Sequence, residues 1–505
     1  MLACGFWARV SAVAVLAGVS VSSGPAARAD SMSAVDGNAR EVGAWASPVA
    51  LPSNIIGVHA VVLRTGKVLL MGEANPRAAF VFDPTTDTGH YADPLDNVFC
   101  GGQTLLADGT VLFAGGLAAP PPARAAGIRS IDTFDPINET WTRQPLMANG
   151  RWYPTTTTLG DGSVLIDAGR SQVASILNNQ VELFRAGPPA TVSLFGPDEG
   201  LDDYPHQYVL PDGKLFATTD GGKTVLFDPA AKTWSALDSH AGSAGRPAGV
   251  LLPGGQAGST KIMLLGGQAS RSPDALATTE VFDTANPKAG WVSAAPIPQG
   301  RNDMNTVILP DGTLLGVGGN SSGDFGLPDL QTLLYSPTTN SWTSLASQRY
   351  RRGYHSTAVL LPDGRVLSAG DTGGGAGDNT LEIYSPPYLF AGPRPSITRA
   401  PTDVTWGQQF RIRTSAPITR AVLVSPGATT HNDDMNQRHI DLAVTPTARG
   451  ARLTAPLVNV APPGYYMLFV LSSSGVPSVA TWVHVAGPAG PAGPAAPASS
   501  VQHAE

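Results

Sequence analysis

The sequence predicts an all-β protein, a ring of repeated units that each hold a hairpin and further strands, followed by a smaller β-sandwich. Three observations lead there. A strand–turn–strand pattern centred on Asp-Gly recurs along most of the 505 residues. Glycine (57) and proline (44) are abundant while only 14% of residues are charged, a composition that favours short strands joined by turns. Few windows carry apolar residues at i, i+3, i+4 and i+7, so no helical domain is expected.

Taken in order, residues 1–29 read as a secretory leader. Arg9 precedes the apolar run VSAVAVLAGVSVSS, and ARA at 27–29 suits a small-x-small cleavage site after Ala29. That run is too short to span a bilayer, and no other stretch reaches about 18 apolar residues. The mature chain is therefore expected to be secreted, monomeric and without a transmembrane helix. Cys4 leaves with the leader, so Cys100 stands alone and no internal disulfide forms. The net charge of −7 becomes −9 on loss of Arg9 and Arg28, and no basic stripe is present, which argues against a nucleic-acid partner.

After an N-terminal extension over 30–49, seven units align on their turn glycines at 66, 109, 162, 213, roughly 255, 312 and 364. Most continue to a second marker such as VFDP at 81 or LFDP at 226, often followed by Trp. Repeats near 50 residues that each hold a hairpin and further strands are the pattern of a kelch-type β-propeller, here seven-bladed over 50–392. Radial closure leaves no long exposed sheet edge. Residues 393–486 lose the Asp-Gly period but keep alternating strands such as QFRIRTS and RAVLVSP, as in an immunoglobulin-like sandwich. The Ala/Gly/Pro tail at 487–505 lacks the apolar bulk to pack and is expected to be disordered.

In a propeller the innermost strands start around one axis, so residues just before each hairpin meet despite wide separation in sequence. Those positions hold Cys100, Tyr153, Tyr204, Asp303 and the pair Tyr354–His355. Singly, each has an ordinary reading: a tyrosine half-buried in packing, a cysteine acting as a small core hydrophobe, a histidine at the surface. Structural residues should recur between blades, as the Leu and Gly positions do. These do not.

FCGG at 99–102, RWYPTTT at 151–157, RGYHSTAVLLPDGRV at 352–366 and TTHNDDMNQRHIDL at 429–442 resemble the copper radical oxidases, galactose oxidase and more closely the glyoxal oxidase branch. PPGYYMLFVLSSSGVPSVA at 462–480 is similar to the end of that family's early set sandwich domain. The resemblance implies one copper ion held by Tyr153, Tyr354, His355 and His431, the last delivered by a sandwich-domain loop reaching into the propeller mouth. It implies a thioether between Cys100 and Tyr153 as a radical cofactor, with Tyr354 as general base. The implied reaction oxidises a small aldehyde or alcohol with O2 and releases hydrogen peroxide. Nitrogen and oxygen donors with one open position suit Cu(II).

There are departures from the galactose-oxidising members. Pro205 replaces the sugar-binding Arg after Tyr204, and no Trp occurs in GRSQVASILNN, where those members place an indole over the radical. Strand alternation should aim Trp152 away from Tyr153. Tyr204, Arg301 and Asp303 are candidate substrate contacts at the rim. Two other readings remain at this stage. A non-catalytic kelch propeller, a binding or adhesion module, explains the repeats alone. A sialidase-type hydrolase would need paired carboxylates and different turns.

Overall fold

The computed structural model describes residues 38–487, apart from 73–76, 119–125, 174–175, 241–244, 270–271, 324–325, 327 and 374–377. The leader, the start of the extension and nearly all of the tail lie outside the described residues.

Each repeat folds because its turn is encoded locally. Asp108, Asp161, Asp212, Asp311 and Asp363 each accept the backbone N–H two residues on, at 2.9–3.1 Å. The following glycines sit at φ between 81° and 87°, a region that a side chain disfavours. Antiparallel strands leave these turns. In blade two they run Gly102–Leu105, Val111–Ala114, Ile131–Asp135 and Thr140–Arg143. The first three strands are buried and the fourth is exposed, so the first is innermost. Blades three to six repeat this order, starting at Thr155, His206, Ala248 and Asn305. Leucine, valine and phenylalanine between neighbouring blades are almost fully buried. Each such side chain contributes roughly 1.5–3 kcal/mol of transfer free energy.

Two sheets depart from the expected plan. Blade seven, Ser356–Leu360, Val366–Gly370 and Thr380–Ser385, takes its outer strands from Ala44–Trp45 and Val49–Ala50. Residues 44–49 therefore belong to the ring, which corrects the expected boundary at 50. The N-terminal segment covers an edge that would otherwise expose its hydrogen-bonding groups. Blade one, beginning with His59–Val62, is extended inward by a hairpin, Ala428–Thr430 and Asp433–Asp434, contributed from within the sandwich segment.

The sandwich pairs a four-stranded sheet with a five-stranded one. Its strand Gly464–Leu471 is buried on both faces. Tyr466, Leu468 and Val470 enter the sandwich core, while Met467, Phe469 and Leu471 pack on Leu315, Val317 and Val366 of blades six and seven. Strand alternation thus joins the sandwich to the ring and holds the inserted hairpin in place.

Candidate metal centre

The site grows from one repeated backbone position. Nine residues before the turn glycine of six blades stand Gly57, Cys100, Tyr153, Tyr204, Asp303 and His355, all in the left-handed region, at φ 78°, 55°, 65°, 46°, 56° and 68°. Only blade one uses glycine there; the other five hold a conformation that a side chain disfavours. The strained positions are tied together. Tyr153 N–H donates to Cys100 O at 2.9 Å, and Tyr204 N–H to Tyr153 O at 2.9 Å. Cys100, Tyr153, Tyr204 and Met435 form one buried cluster.

His431 arrives by a different local device. It and Asn432 form the two-residue turn of the inserted hairpin, at φ 48° and 59°, as a type I′ turn requires. His431 Nδ1 is occupied by Thr430 Oγ1 at 2.8 Å, and His355 Nδ1 by Thr372 Oγ1 at 3.0 Å. Both Nε2 atoms are thereby turned inward, 3.4 Å and 3.6 Å from Cys100 Sγ. The three ligand atoms lie within 4.8 Å of one another. Burial keeps both imidazoles well below their ordinary pKa, hence neutral and able to ligate.

The phenols complete the set. The Tyr153 and Tyr354 hydroxyls are hydrogen-bonded to each other. The Tyr354 ring stacks on His355 at 3.8 Å, and the Tyr153 ring meets His431 edge-on at 4.9 Å. Burial raises the pKa of both phenols and of the Cys100 thiol. A divalent cation at this spot would displace the phenolic protons. Two neutral imidazoles fixed through their far nitrogens, with two adjacent phenols, make a donor set that fits Cu(II).

Tyr153, Tyr354 and His431 open onto a cavity of about 810 Å³. Its lining is polar and includes Arg170, Asp203, Asp220, Arg246, Gln268 and Asn432. Tyr204 also lines it, with its hydroxyl bound to Gly101 O at 2.9 Å.

Arg301 does not reach this cavity, which corrects its expected place at the rim. It is 1% exposed, with Nη2 3.0 Å from Asp329 and Nη1 donating to Gly318 O at 3.0 Å. Arg151 with Glu182 and Arg352 with Glu382 are equally buried pairs; Arg151 and Arg301 stand two residues before Tyr153 and Asp303, and Arg352 two before Tyr354. The arginine is a repeated structural pin. Asp303 is likewise set back, 2% exposed and 3.6 Å from Arg246. Trp152 also departs from expectation. Its ring meets Tyr153 at 4.2 Å and 68°, because alternation holds only within a strand and Tyr153 is outside one.

Sequence reasoning missed Arg246, whose guanidinium lies 4.1 Å above the centre of the Tyr354 ring. Blade five has a degenerate turn, so alignment on the turn passes it by. Counting two residues back from the first strand, where Cys100, Tyr153, Tyr204 and Asp303 stand in their blades, would have found it.

This geometry defines a class: a propeller–sandwich protein in which two imidazoles and two phenols gather beside a thiol at one end of the ring. Comparison with known proteins narrows it. The profile for the glyoxal oxidase N-terminus matches residues 77–385, more than half of the chain, and that for the galactose oxidase-like early set domain matches 394–485. The chain belongs to the glyoxal oxidase family. Aldehyde oxidase GLOX of Vitis pseudoreticulata is 29% identical over 515 residues, covering 86% of this chain and 95% of its own. A galactose oxidase of Gibberella zeae is 27% identical over 461 residues, covering 83% of this chain and 65% of its own. A solved fungal alcohol oxidase in complex with copper shares the fold, with a TM-score of 0.77 over 88% of this chain and 100% of that one at 22% identity.

Proposed function

We propose that the protein is a secreted copper radical oxidase of the glyoxal oxidase type, acting on a small aldehyde or primary alcohol. One observation carries the reading. Ligand atoms of Cys100, His355 and His431, residues up to 331 positions apart, come within 4.8 Å of one another beside the paired Tyr153 and Tyr354 hydroxyls.

Copper would be held by Tyr153, Tyr354, His355 and His431, and when bound it supplies Lewis acidity and one of the two redox equivalents. The chain's own groups do the rest. Tyr354, as phenolate, takes the hydroxyl proton of the alcohol or of the hydrated aldehyde. The Arg246 cation above its ring favours that phenolate. Tyr153, joined to Cys100 by a thioether and held as a radical, removes hydrogen from the adjacent carbon. Sulfur on the ring spreads the spin, and Trp152 covers one edge. Two electrons and two protons leave the substrate and reduce O2 to hydrogen peroxide. The polar cavity lining suits a hydrated carbonyl.

Purified protein given Cu(II) and air should migrate faster on denaturing gels than Cys100→Ala, because the thioether closes a loop, and should release peroxide from methylglyoxal. Equal mobility and no peroxide would overturn the assignment. Secretion is tested separately, by sequencing the N-terminus of exported protein for a start at Asp30.

A further inference from the structure

One buried relay beside the centre lies outside the ligand set. His59 opens the inner strand of blade one and is fully buried. Its Nε2 accepts the Cys100 backbone N–H at 3.2 Å. Its Nδ1 is hydrogen-bonded to Gln103 Oε1. Gln103, also fully buried, donates from Nε2 to Thr429 O at 2.8 Å, on the hairpin that carries His431.

The directions of these bonds allow one protonation pattern. A backbone N–H only donates and a carbonyl only accepts, so His59 is neutral with its proton on Nδ1, and the Gln103 amide turns its oxygen to His59. Burial agrees, drawing the His59 pKa down to about 4. Cys100 stands at φ 55°, and its N–H is met by a side chain instead of a strand. The relay thus links the thiol-bearing residue to the His431 hairpin.

We propose that His59 is a positioning residue for the cross-link: together with Gln103 it holds Cys100 in register with the His431 hairpin, so that the thiol faces the Tyr153 ring. The proposal rests on the oxidase reading. In the step it serves, the Cys100 S–H bond and one Tyr153 ring C–H bond break and a C–S bond forms. The two electrons and two protons released reduce dioxygen to hydrogen peroxide.

The test follows cross-linking in time. Copper-free mature chain is mixed with Cu(II) and air, and the linked Cys100–Tyr153 peptide is weighed for loss of two hydrogens. His59→Leu should slow the loss by about 10-fold or more, since small misplacements of reacting groups are costly. His59→Gln, whose carboxamide oxygen can replace Nε2 as acceptor, should recover most of the rate. Gln103→Leu should fall between. Anaerobic Cu(II) binding, read by electron paramagnetic resonance, should be unchanged because no ligand is altered. A wild-type rate in His59→Leu overturns the proposal, as does equal slowing by Leu and Gln, which would mark a packing role. If His59→Leu does not fold, Gln103→Leu decides, and a wild-type rate there overturns it. A wild type that never loses the two hydrogens overturns the oxidase reading itself, and this proposal with it.

Discussion

Replacing Asp329 with asparagine leaves the Arg301 guanidinium charged inside the ring. Arg301 is 1% exposed, and its ionic partner is Asp329 at 3.0 Å. Burial already pulls the arginine pKa down to about 10, against the raising effect of Asp329. An exposed ion pair is worth about 0–1 kcal/mol. Removing one partner of a buried pair costs about 3–5 kcal/mol, because the remaining charge keeps its desolvation penalty without compensation. Asp329→Asn should therefore lower unfolding stability by that amount in a urea titration followed by tryptophan fluorescence. The double variant Asp329→Leu with Arg301→Leu should recover most of it, since no buried charge remains. KM for methylglyoxal should not change in the folded fraction. A loss below about 1 kcal/mol together with a raised KM would refute the structural role and return Arg301 to the substrate rim.

Three further outcomes are expected. Tyr354→Phe should cut peroxide production by about 10²–10⁴-fold, the usual contribution of a positioned base, without moving the unfolding midpoint by more than the lost hydroxyl contact. Arg246→Met should reduce kcat/KM by about 2- to 30-fold, the range of a cation–π contact of about 0.5–2 kcal/mol, measured by the same peroxide assay. The pH dependence of stability should carry the mark of His59. Its folded pKa of about 4 lies below the unfolded 6.5, so below pH 6.5 the unfolded chain binds a proton that the folded chain does not. Wild type should lose about 3 kcal/mol between pH 7 and pH 4 on this account. His59→Gln should not, so the stability gap between the two should narrow by that amount in parallel urea titrations.

Much of this protein is legible in its sequence because much of it is local. An Asp side chain two residues from an N–H, a glycine at φ near 85° and an alternating apolar strand are each set within a few positions. The repeats therefore declare the blades, and non-repeating residues at the blade starts stand out against them. Where the local signal weakens, so does the reading: the degenerate turn of blade five hid Arg246, and a residue between strands, Trp152, escaped the alternation rule.

What the sequence by itself determined was the list of strands, the turns that pair them and the unusual side chains at the blade starts. Only the tertiary structure decided which of these meet. Ring closure makes Ala44–Trp45 the edge of blade seven and turns Arg301 toward Asp329 instead of the cavity. The inserted hairpin sets His431 Nε2 3.4 Å from Cys100 Sγ across 331 residues. Such contacts depend on how all the sheets pack around one axis. No short segment carries enough hydrogen bonds or buried surface to specify them alone.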